Sequence, residues 1–323
     1  MKKALKITGK ILLSIVILFI VFLFVIKIWN EIAMSKEKEL LEDHPGQFVE
    51  IDGHNMNIYT EGGTNGAHEG EHTIVFMSGW GTSSPIYDFK PLVSKLSGEY
   101  RCAVIEKFGY GFSDEADGSR DFDTMLRQDR EALKKAGIEA PYVLCPHSLS
   151  GLEATLWAQK YPDEVEAIIG LDMSVANYPG FAELKDSFAQ KAMIKLNDVG
   201  GFFGINRFLM SISSFEGYTD EEIKRYIAVG CKTLGSDTVA RENDGIGTVC
   251  DEINAAPLPT VPTIQYLSAD NKDNDDWRKS HQEYVDASVK GRLTELDCGH
   301  YVHKYRSEKI AADMKEFIAE LGR

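Results

Sequence analysis

Six short runs rich in apolar residues, separated by helical or irregular sequence, constrain the fold of this chain more than any other feature. In most of them the apolar residues are consecutive, which is typical of strands buried on both faces. Helical patterns at 123–137, 149–161 and 307–321 predict a mostly parallel sheet with helices on both sides, an α/β fold. The predicted strands are Thr73–Met77, Arg101–Glu106, Tyr142–Cys145, Ala167–Leu171, Thr263–Ser268 and Gly291–Leu296.

A hairpin is predicted before the first of these strands. Two β-rich runs follow Pro45-Gly46 and are joined by Asp52-Gly53, a pair that favours a two-residue hairpin turn. The folded domain is therefore expected to span residues 47–323.

The long interval between the fourth and fifth predicted strands requires structure of its own. About 90 residues, from Met173 to Pro262, lie there, and structureless loops of that length are rare in compact domains. Thr219 and Glu222 form a capping-box pattern at the start of a helical sequence. We predict a helical lid at about 174–260 that lies over the strand ends.

The N-terminus carries a second constraint. Residues 11–26 are apolar except for Ser14, and with their neighbours they approach the ~20 residues needed to cross a bilayer. A cleaved signal peptide is the alternative, but no convincing cleavage site follows. We predict a retained signal anchor at 1–30 and a linker at 31–46. Lys10 and Lys27 flank the span, and the small excess of lysines before it favours a single-pass protein with its catalytic domain outside the cytoplasm.

The charge and the cysteines exclude several classes of protein. The net charge is −15, and because residues 1–30 hold five lysines and no acid, the remainder carries −20. Such an acidic body would repel a phosphate backbone, so nucleic acid is not an expected partner. The five cysteines lack C-x-x-C spacing, which indicates neither a disulfide framework nor a zinc ribbon.

One serine stands at a junction where chemistry is expected. The segment from Tyr142 to Gly151 runs from a predicted strand directly into a helical pattern, and Ser148 lies between the compact residues Pro146 and Ser150. A serine on such a tight turn projects its hydroxyl above the sheet at a helix N-terminus. The simpler interpretation is an N-cap serine, and by itself the turn favours neither interpretation.

With three further segments, this turn resembles the α/β-hydrolase superfamily over nearly all of the chain after residue 45. Pro146-His-Ser148-Leu-Ser150 corresponds to the family's G-x-S-x-G nucleophile elbow, with both glycines replaced and Gly151 following. The segments 78–81 (SGWG), 106–114 (EKFGYGFSD) and 297–303 (DCGHYVH) are similar to the family's oxyanion turn, its D-x-x-G-x-G-x-S loop and its histidine loop. The closest likeness within the family is to membrane-anchored hydrolases of Gram-positive bacteria.

The resemblance implies a role for each of four residues. Ser148 would be the nucleophile and His300 the general base. The backbone N–H groups of Trp80 and Leu149 would form the oxyanion hole.

The acid of the triad is left open between two residues. The family most often places it after the penultimate strand, where Asp270 lies one residue before the expected register; Asp172 follows the fourth predicted strand. We favour Asp172, because a buried carboxylate at a strand end needs a partner such as histidine. His303 is the residue most easily confused with His300, and His147 is expected to pack or hydrogen-bond beside the nucleophile.

The implied function is that of a serine hydrolase of the carboxylesterase, lipase or peptidase type. It would cleave an ester, thioester or amide of a small acyl substrate through an acyl-enzyme, with no metal or organic cofactor, while its N-terminal helix contacts the membrane. The serine nucleophile disfavours a dehalogenase. The alternative is a non-catalytic binding module at the cell surface that uses the same scaffold.

A literal zinc-protease pattern is rejected. His68-Glu69-Gly70-Glu71-His72 matches H-E-x-x-H, which binds zinc because a helix brings both histidines to one face. Here the pattern contains Gly70, follows a glycine-rich stretch and runs into a strand, so a solvated loop is the better interpretation.

Overall fold

The structure, a computed structural model, describes residues 2–63, 72–181, 195, 199–213, 215 and 217–322. Within them eight strands form one sheet in the order β1-β2-β4-β3-β5-β6-β7-β8. The pairs β1–β2 and β2–β4 are antiparallel, and the remaining pairs are parallel. The strands are β1 (Gln47–Ile51), β2 (His54–Glu61), β3 (Thr73–Met77), β4 (Arg101–Glu106), β5 (Tyr142–Pro146), β6 (Val165–Leu171), β7 (Thr263–Leu267) and β8 (Gly291–Glu295).

The predicted strands and hairpin are present. Every residue of β3, β5 and β7 is buried, as expected for strands covered on both faces. In the hairpin, Ile51 pairs with His54 across Asp52 and Gly53, whose φ values of 52° and 84° are those of a tight two-residue turn.

Helices cover both faces of the sheet. Those described are α1 (Lys2–Lys36), α2 (Lys38–Glu42), α3 (Pro85–Leu96), α4 (Phe122–Lys135), α5 (Ser150–Lys160), α6 (Ile205–Ser211), α7 (Asp220–Thr233), α8 (Asp237–Arg241), α9 (Ile246–Asn254), α10 (Asp275–Ala287), α11 (Val302–Tyr305) and α12 (Ser307–Ala319). Short 3₁₀ turns lie at Pro162–Glu164, Glu242–Gly245 and Ala269–Asn271.

The core consists of two apolar layers, one on each face of the sheet. One layer contains Leu126 of α4 and Trp157 of α5. The opposite layer contains Phe89 of α3 and Phe317 of α12. The sheet is therefore sandwiched, and its polar chemistry is left at the carboxyl ends of the parallel strands.

Two parts of the chain extend beyond this sandwich, although α9 contributes Val249 and Ile253 to one of its layers and α7 contributes Val229 to the other. Helices α6 to α9 belong to the interval between β6 and β7, and α7 begins with the capping box of Thr219 and Glu222. Helix α1 contains a segment, Ile7–Lys36, whose length and hydropathy are sufficient to cross a membrane. It continues past residue 30 to Lys36, so the first part of the expected linker is helical.

Candidate active site

Ser148 occupies a strained turn between β5 and α5. Its φ is 54°, a left-handed value that is uncommon for a residue with a side chain. Two glycines leave room for this turn: a Cβ on Gly79 would lie 2.6 Å from the Ser148 Cβ, and a Cβ on Gly151 would lie 2.4 Å from the carbonyl oxygen of Ser174. The Ser148 carbonyl accepts hydrogen bonds from the backbone of Gly151 and Ser174. The turn is thus fixed from several sides.

Ser150, which stands where the elbow motif has its second glycine, stabilises the turn. The Ser150 hydroxyl shares its one hydrogen between the backbone carbonyls of Met77, at 2.7 Å, and His147, at 2.8 Å. A serine at this position therefore ties the elbow to the end of β3, which glycine could not do.

Two backbone N–H groups beside Ser148 have no acceptor within the described parts of the chain. They belong to Trp80 and Leu149, the residues expected to form the oxyanion hole. Trp80 is held by its indole, whose Nε1 donates to the Val239 carbonyl at 2.9 Å. The next residue, Gly81, has a φ of 69° and donates its N–H to the Tyr110 hydroxyl at 3.2 Å. Both groups can donate to a developing negative charge.

His300 is paired with Asp172, the favoured candidate acid. The Nδ1 of His300 donates to Oδ2 of Asp172 at 2.6 Å, across the ends of β6 and β8. Asp172 is fully buried and has a φ of 45°. Its carboxylate also accepts from the backbone N–H and the hydroxyl of Ser268, at 2.9 and 2.7 Å. These donors fix the carboxylate and, through it, the ring of His300.

Asp270, the other candidate acid, contacts the same histidine at a different atom. Its Oδ2 accepts the backbone N–H of His300 at 2.8 Å. Asp270 therefore holds the loop that carries His300, whereas Asp172 holds the imidazole. The described residues include no hydrogen bond between Ser148 and the His300 ring; such bonds are often long without substrate.

His147 connects the Ser148 turn to the loop that carries His300. Its Nε2 donates to the backbone carbonyl of His300 at 3.3 Å, and the two rings lie 4.6 Å apart. Burial lowers the pKa of His147 well below its usual value, and the neighbouring His303 and His300 lower it further. A neutral His147 can keep this hydrogen bond without adding charge beside His300.

A buried ion cluster supports the histidine loop from below. His303 Nε2 donates to Asp88 of α3 at 2.8 Å, and the Lys304 ammonium contacts the other Asp88 oxygen. Burial opposes ionisation of Asp88, but Lys304 and His303 outweigh it and lower the Asp88 pKa. Burial also lowers the pKa of His303. Our sequence reasoning missed Asp88; an acid between Tyr87 and Phe89 on a buried helix face was the available signal.

These residues include the donor types that bind metals. One ligand atom each of Asp88, His147 and His303 lie within 4.8 Å of one another. Because the Lys304 ammonium already neutralises Asp88, we interpret the group as an ion-pair network. Of the rejected zinc-protease pattern, His72 pairs with Glu166 at 2.9 Å, while 68–71 lie outside the described residues.

The loop after β4 is built around a second buried acid. Glu106 accepts from the Phe112 N–H and from the Asn57 side chain, both at 2.9 Å. A Cβ on Gly111, which has a φ of 54°, would lie 2.0 Å from this carboxylate, so the second glycine of the loop is required. Burial raises the pKa of Glu106 to about 7. The loop therefore encloses a carboxyl group that is partly protonated near neutral pH.

Comparison with known proteins identifies the family. Residues 72–204 match the α/β hydrolase fold family. The protein YbdG of Bacillus subtilis (strain 168) is 32% identical over 333 residues, which cover 99% of this chain and 98% of YbdG. The chain belongs to the α/β-hydrolase superfamily. The predicted fold and the predicted enzyme class, a hydrolase, are thereby confirmed.

Two further proteins resemble this α/β-hydrolase. The pimeloyl-[acyl-carrier protein] methyl ester esterase of Aliivibrio salmonicida (strain LFI1238) is 38% identical over 118 residues, 36% of this chain and 41% of the esterase. The crystal structure of Cfl2 from Burkholderia cenocepacia superimposes with a TM-score of 0.62 and 17% identity, covering 84% of this chain and 95% of Cfl2. The second likeness concerns the fold alone.

Proposed function

We propose that this hydrolase cleaves acyl esters with a Ser148–His300–Asp172 triad. The observation that carries the proposal is the fixed His300–Asp172 pair, at 2.6 Å, beside a serine in a strained turn. Such strain is maintained where the surrounding structure determines the conformation, and it concentrates at functional sites. Thioesters and amides share the acyl carbonyl, but the esterase relative supports an ester.

In the proposed reaction Ser148 Oγ attacks the acyl carbonyl carbon and His300 Nε2 takes its proton. The imidazolium then gives this proton to the departing alcohol as the bond to the acyl carbon breaks. Water attacks the acyl-enzyme with the same proton transfers, releasing the acid and restoring Ser148. Asp172 keeps the imidazole oriented and stabilises its positive charge, while the N–H groups of Trp80 and Leu149 stabilise the oxyanion.

We infer that the described residues of 174–260, which we call the lid, cover this site. Two contacts support the inference: Val239 accepts the hydrogen bond from the Trp80 indole, and Gly230 packs so closely on Ser83 that an added Cβ would lie 3.1 Å from the Ser83 Cβ. The lid thus contacts the turn that supplies one oxyanion donor.

A fluorophosphonate probe tests the nucleophile. The full chain should be labelled, and Ser148→Ala should lose labelling and at least about 10⁴-fold of its kcat/KM for an ester. Ser94→Ala, at an exposed serine of α3, is the control and should be labelled like the wild type. An intact chain that is neither labelled nor active would instead support the non-catalytic binding module.

The two acids provide a matched test of the triad. Asp172→Asn should lower kcat by about 10⁴-fold, because an amide N–H facing Nδ1 selects the wrong imidazole tautomer and a neutral amide does not stabilise the imidazolium. Asp270→Asn should stay within about tenfold of the wild type, because its amide oxygen still accepts the His300 N–H. The opposite ranking would assign the triad acid to Asp270.

We further propose that α1 is a single membrane span with the hydrolase body outside the cytoplasm. The apolar segment Ile7–Lys36 and the lysines before it support this topology. In intact cells, external protease should degrade the body and spare an N-terminal tag. A tag that is missing from the mature protein would indicate cleavage instead, and a body protected until lysis would contradict the orientation.

A further inference from the structure

The last third of α1 does not stand free but packs against the lid. Most of α1 is exposed, whereas Ile26 and Asn30, one turn apart, are buried. Gly204 of the lid lies against them: a Cβ there would be 2.5 Å from the Asn30 Cβ. The contact therefore depends on a residue without a side chain, which is a feature of a specific helix contact and not of a loosely tethered tail.

Arg207 of α6 joins the two segments by charge. Its side chain is 3% exposed, and its Nε donates to Oδ1 of Asn30 at 2.7 Å. Its two Nη atoms donate to the two carboxylate oxygens of Glu37 at 2.5 and 2.7 Å. A bidentate arginine–carboxylate pair fixes both distance and orientation. Together these contacts, which we call the Arg207 clamp, fix the position of α6 along the axis of α1.

At this position along α1, α6 lies beside the apolar run of that helix. Phe208 packs edge-on against Phe22, with ring centroids 5.9 Å apart, and Lys27 lies 3.8 Å above the ring of Phe202. Phe22 precedes Lys27 by five residues, or about 7 Å of helix, toward the centre of the run. A bilayer that surrounds the apolar run would therefore reach α6.

The lid exposes apolar side chains at this level. Phe202, Leu209 and Ile212 are 61, 54 and 67% exposed, and Val199 is also exposed. Phe202 and Phe208 of the same segment contact α1 at Lys27 and Phe22, so these exposed side chains belong to a segment that packs on the apolar part of α1. Four large apolar side chains grouped beside a membrane span fit a hydrocarbon environment better than water.

Packing connects this surface to the active site. Met210 of α6 contacts Gly230 of α7, where an added Cβ would lie 2.4 Å from the methionine methyl carbon. Gly230 in turn lies against Ser83, in the turn that carries Trp80. The apolar surface is thus one helix layer away from the proposed oxyanion hole.

We propose that residues 199–212, held by the Arg207 clamp, lie in the lipid interface and that the substrate is an amphiphilic acyl ester which enters from the bilayer. The location in the interface rests on the spanning role of α1, and the substrate class rests also on the proposed esterase function. The partner is the lipid surface itself; a second copy of the chain and a partner protein are the competing occupants.

Quenching by brominated lipid tests the location without requiring activity. Leu209→Trp is made in a Trp29→Phe background and the full chain is reconstituted in phosphatidylcholine vesicles with brominated acyl chains. The fluorescence added by Leu209→Trp should fall by roughly half or more, as expected within the headgroup–acyl boundary. Val289→Trp, at a 77% exposed site between α10 and β8, is the control and should stay unquenched. Equal quenching of the two variants would overturn the proposal.

Kinetics test the entry route. Leu209→Glu and Ile212→Glu should slow hydrolysis of 4-nitrophenyl palmitate in the vesicles by roughly tenfold, because a charge opposes insertion. Hydrolysis of water-soluble 4-nitrophenyl acetate should not change, nor should Val289→Glu affect either ester. Equal rates on the palmitate ester, or cross-linking of copies through position 209, would overturn the proposal. A wild type inactive on both esters would defeat the proposed function and leave the quenching result valid.

Discussion

The lid is attached differently at its two ends. Residues 174–181 pack in the core layer itself. The part of the lid around α6, which we call its early end, is held to α1 by the Arg207 clamp and by apolar contacts. Its late end is held by Glu242, which is fully buried and accepts from Arg120 and the Tyr110 hydroxyl, both at 2.7 Å, with Lys107 at 3.5 Å.

This difference indicates which end can move. Lys107, Tyr110 and Arg120 belong to the segment after β4, so the late end is part of the hydrolase core. The early end follows α1 instead, and the Glu37 carboxylate of its clamp retains access to water. We therefore expect α6 to follow a displacement of α1 more readily than residues 237–246 do.

Removal of Glu242 should have the largest effect on stability. Glu242→Ala leaves the buried Arg120 and Lys107 without their main carboxylate, and we expect a loss of about 3–5 kcal/mol in the free energy of unfolding. Urea unfolding of the detergent-solubilised full chain, followed by circular dichroism, measures it. Asp244→Ala, at an exposed acid on the same turn, should change little. A loss below about 1 kcal/mol for Glu242→Ala would remove the distinction between the two ends.

Glu106→Gln should change how stability depends on pH. The pKa of Glu106 is raised from 4.5 to about 7 in the folded state, mainly by burial. The protonated form is favoured by folding, so its contribution is complete below pH 4.5 and is lost as the pH rises to about 7. At about 1.4 kcal/mol per pKa unit, the wild type should lose about 3 kcal/mol relative to Glu106→Gln across that window.

Unfolding of the two proteins at pH 4.5, 6 and 8 gives this measurement. The loop around Glu106 also contacts the lid, because Lys232 of α7 donates to the carbonyls of Gly111 and Ser113. A free-energy difference that stays constant with pH would mean that the pKa of Glu106 is the same in the folded and unfolded chains.

Removal of the Arg207 clamp should loosen the early end alone. We expect Arg207→Met to lower the local opening free energy by about 2 kcal/mol, less than a fully buried pair because Glu37 keeps contact with water. Amide hydrogen exchange should become about 30-fold faster in 205–211 and unchanged in 237–246. Lys224→Met, on the exposed face of α7, is the control. Faster exchange at both ends would show that they open as one unit.

The smallest effect is expected at the start of α7. Thr219 accepts the Glu222 N–H through its hydroxyl, and Glu222 accepts the Thr219 N–H in return. Thr219→Ala should lower stability by about 1 kcal/mol, and Thr219→Ser should preserve it because the hydroxyl remains. Thermal unfolding of the three proteins ranks them, and equal midpoints for alanine and serine would exclude a role of the cap.

The fold could be predicted from the sequence because its signals are local. Continuous apolar residues marked β3 and β5, Asp52-Gly53 marked the hairpin, and Thr219 with Glu222 marked the start of α7. The predicted strands differ from the observed ones only near their ends. For example, β6 begins at Val165, two residues before its predicted start. Helix and strand ends depend on caps and packing, which apolar patterns do not encode.

The site was less predictable because its parts meet only in the folded sheet. Family motifs pointed to Ser148 and His300, but the choice between Asp172 and Asp270 depends on how the ends of β6, β7 and β8 align. The Arg207–Glu37 pair joins residues 170 positions apart, and no periodicity relates them. Long-range contacts between charged residues therefore required the structure.

The short connection between α1 and β1 limits how far the enzyme can act. Residues 37–46 could extend roughly 35 Å at most, and they are shortened by α2 and tied to α7 through the contact of Asp43 with Arg225. On a bilayer, the proposed active site would thus stay at a nearly constant distance from the membrane surface. Under the proposed membrane location and ester substrate, turnover would follow the surface density of the ester rather than its bulk concentration, and encounters would occur by lateral diffusion in two dimensions.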